Sequence, residues 1–508
     1  MNKLLLFMKR DGYLRLHTLM IISLCLLGAF LRLYFYVFNR SLWLDEAMLA
    51  LNIVRRSIFD LFKPLDLNQG APIGFLLMEK IVSSIFGARD YILRLIPLIG
   101  GLLSIPLIFL VSRKFGSRFY VFVSLCLFIF SSKLIYYSSE LKQYSTDVLI
   151  ALLLFYLGIL CLEDNTNFRP IIFFGIAGSF ASWFSHPAVF MVAGIYFTLA
   201  LDFVIKKEFQ RLIWLIGAVV VWGISFGLLY FVNLRYYTAN DYLLQYWRSG
   251  FAPLPWNNIN WYLNAYKNIL IDPAALPVNI ITAGILILGV VSFSIRRWQY
   301  VVLLLSNIPF LIIASGLEKY PIKERMILYL LPIIFLLLAE GIDRVRIELK
   351  RFNRAVSFIV AATIAVYFLY SPAIITYKNL KSPPNAENIK LAMSFIRDNL
   401  QSSDVVYVYY GAYPAFEFYA PFYNLQNKYV IGDWERDDPA KYLVEIDKLK
   451  GNNRVWVIYS HICSIGICSV NEYDYISEHL NTIGYLIDKF SNHGAIAVLY
   501  DLSKGPMQ

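Results

Sequence analysis

Long apolar runs separated by short polar segments occupy most of the chain before about residue 377. Runs of about 20 apolar residues are typical of membrane-spanning helices, because the hydrocarbon core of a bilayer is about 30 Å thick. Eleven such runs lie near residues 16–38, 92–111, 119–138, 146–162, 170–185, 187–205, 211–232, 278–295, 298–315, 326–342 and 355–376. The pattern predicts a polytopic α-helical membrane protein with about 11 transmembrane helices.

The pattern changes after about residue 377, where helical and strand-like segments alternate. AENIKLAMSFIRDNL and NEYDYISEHLNTIG read as amphipathic helices, whereas DVVYVYY, RVWVIYS and AIAVLYDL read as strands. Such alternation is typical of a mainly parallel sheet covered by helices. We therefore predict a transmembrane domain over residues 1–376 and an α/β domain over residues 377–508.

Two segments between the apolar runs, 39–90 and 233–277, are too long to be turns. The first contains two apolar stretches of helical period that are short for spanning a bilayer, which predicts amphipathic helices along the membrane interface. The second is rich in Tyr and Trp, which favour the headgroup level and also suit stacking on sugar rings.

The composition excludes a water-soluble globular protein. The 508 residues are 58% hydrophobic and 16% charged, whereas soluble domains carry about 25% charged residues. The net charge of +11 is explained by position, because Lys and Arg concentrate in short segments such as 1–15, 112–118 and 343–354. Cytoplasmic loops carry such an excess. We therefore predict a membrane protein with a cytoplasmic N-terminus, an exoplasmic C-terminal domain and no nucleic-acid partner.

Two cysteines, Cys463 and Cys468, lie in the predicted exoplasmic domain, a compartment that permits disulfides. Their short loop can close if its turn brings the two Cα atoms within about 7 Å. The sequence leaves a disulfide and a reduced pair equally open. A metal site that adds His461 is less favoured, since no fourth ligand is apparent.

The stretch SLWLDEAMLA places two carboxylates, Asp45 and Glu46, directly after the first apolar run. An acidic residue at a helix N-terminus caps free backbone amides, which explains one carboxylate. A second is harder to explain, because a charged group at the bilayer centre costs about 2.5–3.5 kcal/mol and somewhat less at the edge. Ionisable groups at membrane depth are therefore candidates for function.

Further polar groups occur at the outer ends of other apolar runs. They are Gln69, Lys80, Glu140, Tyr144, Asp147, His186, Lys323 and Arg325. Glu140, Tyr144 and Asp147 have the i, i+4, i+7 spacing of one helical face. Snorkelling explains each Lys or Arg taken alone, and a helix-end cap is the simpler role for His186. Together, however, the groups predict a shared hydrated cavity.

Acidic and basic groups in one interfacial cavity suit a sugar that is carried on a lipid phosphate. Arg and Lys can neutralise the phosphate, and Arg can bind it through two parallel hydrogen bonds. A carboxylate near the anomeric carbon can take the proton of the incoming hydroxyl. Because the lipid phosphate is already a good leaving group, no second protein acid is required, unlike in the glycoside hydrolases.

The order of these motifs resembles that in bacterial glycosyltransferase family 39. These are GT-C membrane transferases related to protein O-mannosyltransferases and to the aminoarabinose transferase of lipid A. The matching elements are WLDE after the first run, QGAP running into FLLMEK, YYSSELKQYSTD and YPIKERMILYLLP, within residues 16–345. One departure is Ala71-Pro72, where the family often has a double Pro.

The resemblance implies a GT-C fold and assigns catalytic roles. Asp45 matches the proposed catalytic base, with Glu46 beside it, and Glu140 or Asp147 matches a second acidic position. The implied reaction transfers a sugar from a polyprenyl-phosphate donor to a hydroxyl of a lipid, polysaccharide or protein on the outer face, with inversion. Some relatives use a divalent metal, and Mg²⁺ or Mn²⁺ bound through Asp45 and Glu140 stays open.

The resemblance also implies a donor site. Arg325 matches the basic residue that meets the donor phosphate, and Lys323 and Lys80 are further candidates for this contact. The rival hypothesis is a lipid or glycolipid flippase without transferase chemistry. Gly100-Gly101 and Pro106 in the second run allow a broken helix of the transporter type, although we find no convincing internal repeat.

Overall fold

The structure is a computed structural model, which describes residues 2–164, 167–426, 429–436, 438–465 and 468–503, with side chains from His17 onward. It divides into two compact units. The membrane unit comprises Met1–Phe38 and Ser57–Pro383, and the α/β unit comprises Asn39–Arg56 and Pro384–Gln508.

Helices make up most of the described chain. The first are α1 (Asn2–Phe38), α2 (Leu44–Arg55), α3 (Ile73–Phe86), α4 (Asp90–Leu93), α5 (Leu95–Phe115), α6 (Arg118–Ile129), α7 (Ser132–Tyr137), α8 (Tyr144–Glu163), α9 (Arg169–Phe184), α10 (Ala188–Ile205) and α11 (Phe209–Leu229). The others are α12 (Arg235–Tyr237), α13 (Asp241–Tyr246), α14 (Ile259–Ile271), α15 (Ile280–Leu305), α16 (Asn307–Gly316), α17 (Leu331–Leu349), α18 (Arg354–Lys381), α19 (Ile389–Asn399), α20 (Tyr413–Tyr419), α21 (Ala440–Asp447) and α22 (Glu472–Ile483). Short 3₁₀ segments are Asp60–Phe62, Asp66–Asn68, Arg248–Gly250, Glu324–Leu330 and Ala420–Tyr423, and Tyr230–Leu234 is a π-helical turn.

Many of these helices match the predicted apolar runs. Among the described residues, eight helical segments are long and apolar enough to cross a membrane: His17–Phe38, Leu95–Phe115, Tyr144–Glu163, Ala188–Ile205, Phe209–Tyr237, Ile280–Gly316, Glu324–Leu349 and Arg354–Lys381. The remaining runs are also helical, but α6 and α9 are shorter. The runs 278–295 and 298–315 form one interrupted segment, because Arg297 has non-helical backbone angles. The prediction of a polytopic helical membrane protein is confirmed.

Small residues allow two membrane helices to pack closely. Gly289 of α15 lies against the carbonyl of Leu337, and Gly341 of α17 lies against the carbonyl of Ile285, so that a Cβ at either glycine would overlap the partner backbone. Small residues at helix contacts are typical of membrane bundles, because apolar side chains gain little by leaving lipid. The α15–α17 contact therefore depends on these two glycines.

The α/β unit contains a five-stranded sheet. Its strands are β1 (Val405–Val408), β2 (Tyr429–Ile431), β3 (Val455–Ser460), β4 (Tyr485–Asn492) and β5 (Ala495–Asp501), in the order β2-β1-β3-β5-β4. β1 is parallel to β2 and β3, whereas β5 is antiparallel to β3 and β4. The prediction of a mainly parallel sheet is therefore wrong. β4 is mostly exposed and lacks apolar alternation, so the closing hairpin was not recognised.

The segment Asn39–Arg56 belongs to the α/β unit, not to a loop of the membrane unit. The Leu42 N–H donates to the Tyr419 hydroxyl at 2.9 Å, and the Leu44 N–H donates to Glu387 Oε2 at 3.0 Å. α2 also packs against α20. The second boundary also differs from the predicted 376/377, because α18 continues to Lys381 and the units divide after Pro383.

The two cysteines of the α/β unit form a disulfide. Cys463 and Cys468 are bonded, with their Cα atoms 5.9 Å apart. The Cys463 N–H donates to the Tyr409 hydroxyl at 3.4 Å. The disulfide loop therefore contacts Tyr409, the residue directly after β1. Of the two alternatives that the sequence left open, the disulfide is the one present.

Candidate active site

The acidic pair lies at the start of an apolar helix of the α/β unit. Asp45 and Glu46 are in the first turn of α2, Glu46 buried and Asp45 half-buried. Trp43 occupies the N-cap position, and its side chain makes no capping hydrogen bond. Neither carboxylate therefore occupies the N-cap position considered from the sequence. A negative charge in the first turn is nevertheless favoured by the helix dipole, by about 0.3–1 kcal/mol.

Glu387, which the sequence analysis missed, orients the start of α2. Its Oε2 accepts hydrogen bonds from the Leu44 N–H at 3.0 Å and the Ser460 hydroxyl at 3.4 Å. Its Oε1 lies 2.7 Å from His461 Nδ1. These contacts join the acidic turn of α2 to the end of β3. The segment KSPPNAEN around Glu387 resembles a linker, and its partners are distant in sequence, so no local signal pointed to it.

A second group of polar side chains lies inside the membrane unit. We call it the Lys142–Arg325 cluster, and its members are Gln69, Tyr137, Glu140, Lys142, Tyr144 and Arg325. The Lys142 ammonium donates to Gln69 Oε1 at 2.8 Å, and both side chains are buried. The Arg325 guanidinium lies over the Tyr144 ring, 6.0 Å from its centroid. Buried charges in a helical bundle require compensation and mark candidate sites.

Electrostatic interactions connect the acidic and basic members of this cluster. The Tyr137 phenol interacts electrostatically with both the Glu140 carboxylate and the Arg325 guanidinium. The Tyr137 and Tyr144 rings pack edge to face with centroids 5.2 Å apart. Arg325 also lies over the Trp247 ring at 5.6 Å. The cluster thus places a carboxylate and a guanidinium around two phenols.

The helical face predicted for Glu140, Tyr144 and Asp147 does not form. α8 begins at Tyr144, and Glu140 lies in the bend before it. Lys142, which lies in the same bend, contacts Gln69. A helical spacing rule cannot describe residues that precede the helix, and this is why Lys142 was not selected.

Asp147 is buried one turn into α8, and its Oδ1 has no hydrogen-bond partner among the residues described. It lies near the segment that leads to Arg325. Burial raises the pKa of Tyr320 well above its usual value, and the Asp147 carboxylate adds to this effect. The Tyr320 hydroxyl in turn donates to the Met326 carbonyl at 2.7 Å. Of the two candidates for a second acidic position, Glu140 lies in the cluster itself and Asp147 lies beside its Arg325 segment.

His186 contacts Tyr237, which in turn packs against Gly70 beside Gln69. The rings of His186 and Tyr237 have centroids 6.1 Å apart. Gly70 packs against the same Tyr237 ring, because a Cβ built on Gly70 would lie 3.3 Å from the Cδ1 atom of Tyr237. Burial lowers the pKa of His186 to about 4, and its Nε2 is enclosed without a partner in the described part of the chain. His186 is therefore neutral at physiological pH.

The lowered pKa of His186 predicts a loss of stability in acid. The folded protein binds its proton only near pH 4, whereas the unfolded chain binds it below about pH 6.5. The stabilisation is therefore complete above pH 6.5 and is lost as the pH falls toward 4, by about 1–2 kcal/mol for a half-buried ring. Thermal unfolding in detergent should become less pH-dependent in this window in His186→Gln. The exposed His493→Gln should retain the wild-type dependence, and an unchanged slope in His186→Gln would contradict the assignment.

Of the two lysines proposed for the donor phosphate, Lys323 contacts residues outside the cluster. Lys323 Nζ lies 3.4 Å from the Glu324 carboxylate and donates to the Ser249 hydroxyl at 3.2 Å. Lys80 is half-buried in α3. Its neighbour Glu79 is fully buried with both carboxylate oxygens lacking a hydrogen-bond partner among the described residues, and burial raises its pKa. The only sequence signal for Glu79 is an acid in the apolar stretch FLLMEK.

The described residues do not form a compact metal site. No group of three or more His, Cys, Asp or Glu side chains among them is arranged to hold a metal ion. The predicted Mg²⁺ or Mn²⁺ ligands, Asp45 and Glu140, belong to different units. We therefore derive no catalytic step through a metal.

Comparisons with known proteins identify the fold. No family model and no curated protein sequence matches the chain. Solved structures are similar: ArnT from Cupriavidus metallidurans bound to undecaprenyl phosphate has a TM-score of 0.56 at 11% identity, covering 98% of this chain and 99% of that chain. Its apo state gives 0.52 at 11% identity, covering 98% and 100%. The apo oligosaccharyltransferase from Archaeoglobus fulgidus gives 0.51 at 12% identity, covering 96% and 75%.

These similarities confirm the GT-C fold expected from the sequence motifs. The match extends over nearly the whole chain, whereas the matching sequence motifs lie within residues 16–345. At 11–12% identity, the comparison establishes architecture and leaves residue roles to be argued from this chain.

Proposed function

We propose that this chain transfers a sugar from a polyprenyl-phosphate donor to an acceptor hydroxyl at the outer face of a bacterial cytoplasmic membrane. The observation that carries the proposal is the Lys142–Arg325 cluster, a set of ionisable side chains within a membrane bundle of the GT-C fold. Such groups are costly to bury and usually bind a polar substrate. The similarity to ArnT, which was solved with undecaprenyl phosphate, supports a polyprenyl phosphate as that substrate.

In the proposed reaction, Arg325 binds the donor phosphate. Its guanidinium lies over the Tyr144 and Trp247 rings, and the planar N–H donors of a guanidinium suit phosphate oxygens. Lys142 adds a buried positive charge in the bend that also carries Glu140. Both charges stabilise the phosphate as negative charge develops on it, which is an effect specific to the transition state.

Asp45 is the proposed base. It accepts the proton of the acceptor hydroxyl while that oxygen bonds to the anomeric carbon. The bond from the anomeric carbon to the phosphate oxygen breaks in the same step, and its electron pair leaves with the polyprenyl phosphate. Because the nucleophile enters opposite the leaving group, the anomeric configuration inverts. Asp45 is only half-buried, whereas Glu46 is buried, which favours Asp45 over its neighbour for contact with an acceptor.

The topology is part of the proposal. The distribution of Lys and Arg favours a cytoplasmic N-terminus, which gives the α/β unit an exoplasmic location. A disulfide in this unit, Cys463–Cys468, agrees with an oxidising compartment. The acceptor is then a lipid, polysaccharide or protein that is accessible from that side.

The proposal is tested by incubating the purified protein in proteoliposomes with polyprenyl-phosphate sugars and a panel of acceptors. A transferase releases free polyprenyl phosphate in proportion to the sugar moved. A flippase leaves the donor intact and changes only its leaflet, and that result would replace the transferase proposal with the rival hypothesis. Empty liposomes and heat-inactivated protein serve as controls.

A further inference from the structure

A groove lies on the membrane unit, and none of its lining residues belongs to the Lys142–Arg325 cluster. It has a volume of about 770 Å³ and lies between α1, α5 and the start of α6. Apolar residues line most of it, among them Ile21, Leu26, Ala29, Leu102, Pro106 and Phe109. Pro106 has no N–H to donate to the Leu102 carbonyl, so the wall formed by α5 lacks one helical hydrogen bond.

The groove has a polar end. His17 and Thr18 of α1, Arg113 near the end of α5, and Gly116 and Arg118 at the α5–α6 turn line it there. The remaining lining residues follow in one direction along α1 and α5, toward the middle of the bundle. The groove therefore has a basic end and an apolar remainder, which corresponds to the anionic headgroup and the acyl chain of a lipid.

The dimensions match one leaflet of a bilayer. From His17 to Ala29, α1 rises about 18 Å at 1.5 Å per residue. Half of the hydrocarbon core is about 15 Å thick. An acyl chain lying along the apolar part therefore places its headgroup beside the two arginines.

The basic end is available to an anion. Arg113 and Arg118 are exposed and form no ion pair with an acidic side chain among the described residues. The neighbouring Lys114 differs, because it pairs with Glu163 at 2.6 Å. Arg113 contacts the Phe109 ring at 5.4 Å, which positions its charge beside the apolar part of the groove.

Two further features favour a negative ligand. His17 Nε2 is enclosed and has no hydrogen-bond partner among the described residues. Arg118 is the first residue of α6, and the N-terminus of a helix favours negative charge. The nearby Asp343 carboxylate accepts from the Ser117 hydroxyl at 2.8 Å, and Arg346 lies 2.7 Å from it, so its charge is compensated.

We propose that this groove binds one anionic phospholipid, with its acyl chain along α1 and α5 and its phosphate at Arg113, Arg118 and His17. Under the proposed topology, this lipid belongs to the cytoplasmic leaflet. The occupant is distinct from the sugar donor, since the groove shares no residue with the Lys142–Arg325 cluster. The bound lipid fills the space between α1 and α5 and stabilises their packing.

Native mass spectrometry of the full chain tests this proposal. The protein is equilibrated with equal amounts of phosphatidylglycerol and phosphatidylcholine that carry identical acyl chains. The wild type should retain one phosphatidylglycerol in preference to phosphatidylcholine. Arg113→Gln with Arg118→Gln should reduce this preference by about an order of magnitude, since both basic side chains that attract the anionic headgroup are removed.

The control is Arg351→Gln, which removes an exposed arginine that pairs with Glu348 outside the groove. It should retain the wild-type preference. Ala29→Trp, which fills the apolar part, should lose the bound lipid of either headgroup while remaining folded. The proposal is overturned if the wild type retains both lipids equally, if the double variant keeps its preference, or if Arg351→Gln loses it to the same extent. Pairing of two chains through the groove, with no retained lipid, would also overturn it.

Discussion

Asp45→Asn should abolish sugar transfer while leaving the protein folded in the membrane. The amide has nearly the shape of the carboxylate but cannot accept the proton of the acceptor hydroxyl. General bases contribute about 10²–10⁴-fold to a reaction rate, so we expect kcat to fall by this factor with little change in the affinity for donor. The measurement is initial-rate release of polyprenyl phosphate by purified variants matched for folded protein.

The control for this variant is Asp398→Asn in the same α/β unit. Asp398 is exposed and pairs with Arg397 at 2.8 Å, so its replacement removes a carboxylate without touching α2. Its rate should be that of the wild type. Near-normal turnover in Asp45→Asn, with turnover lost in Glu46→Gln or Glu140→Gln, would contradict the assignment of the base.

Arg325→Gln should weaken productive engagement of the donor. Charge-assisted hydrogen bonds to phosphate strengthen as negative charge develops on the leaving group. We expect kcat/KM for the donor to fall by about 10²–10³-fold, and Arg325→Lys should recover part of this loss because it restores the charge without the planar donors. The measurement is kcat/KM over a donor concentration series at saturating acceptor.

Arg248→Gln is the matched control for the Arg325 variant. Arg248 is exposed and directly follows Trp247, the aromatic residue beneath Arg325. Its replacement should leave kcat/KM near the wild-type value. If both arginine variants behave alike, or if Arg325→Gln keeps its donor kinetics, Arg325 is a snorkelling residue and the donor site lies elsewhere.

The membrane helices could be predicted because their signal is local. Each apolar run reports on its own contact with lipid, and every predicted run is helical in the structure. The precise ends were less predictable. Arg297 interrupts α15 through backbone angles that no hydropathy pattern encodes, and α8 begins only at Tyr144, after the bend that contains Glu140 and Lys142.

Contacts between distant parts of the chain could not be predicted from one sequence. Nothing in SLWLDEAMLA indicates that Leu44 donates to Glu387 or that α2 packs on a helix near the C-terminus. β4 was missed for a related reason, because an exposed strand at the sheet edge has no apolar alternation. The same limits apply to the candidate site: the types of its residues were predicted, but the bond between Lys142 and Gln69 was not.

The unusual acidic pair now has a specific structural setting. Its N-cap residue is Trp43, whose side chain makes no capping hydrogen bond, and Glu387 accepts a hydrogen bond from the Leu44 N–H at the start of α2. Two acids in the first turn of a largely apolar helix, neither of them at its N-cap position, are consistent with the proposed use of one of them in catalysis.

The most direct test of the account is the configuration of the product. A polyprenyl-phosphate sugar of known anomeric configuration is incubated with the protein and an acceptor, and the new glycosidic linkage is identified by NMR. A single displacement with Asp45 as base predicts a product whose anomeric configuration is inverted relative to the donor. A product with retained configuration, or a donor recovered intact under conditions in which the protein is folded, would contradict it.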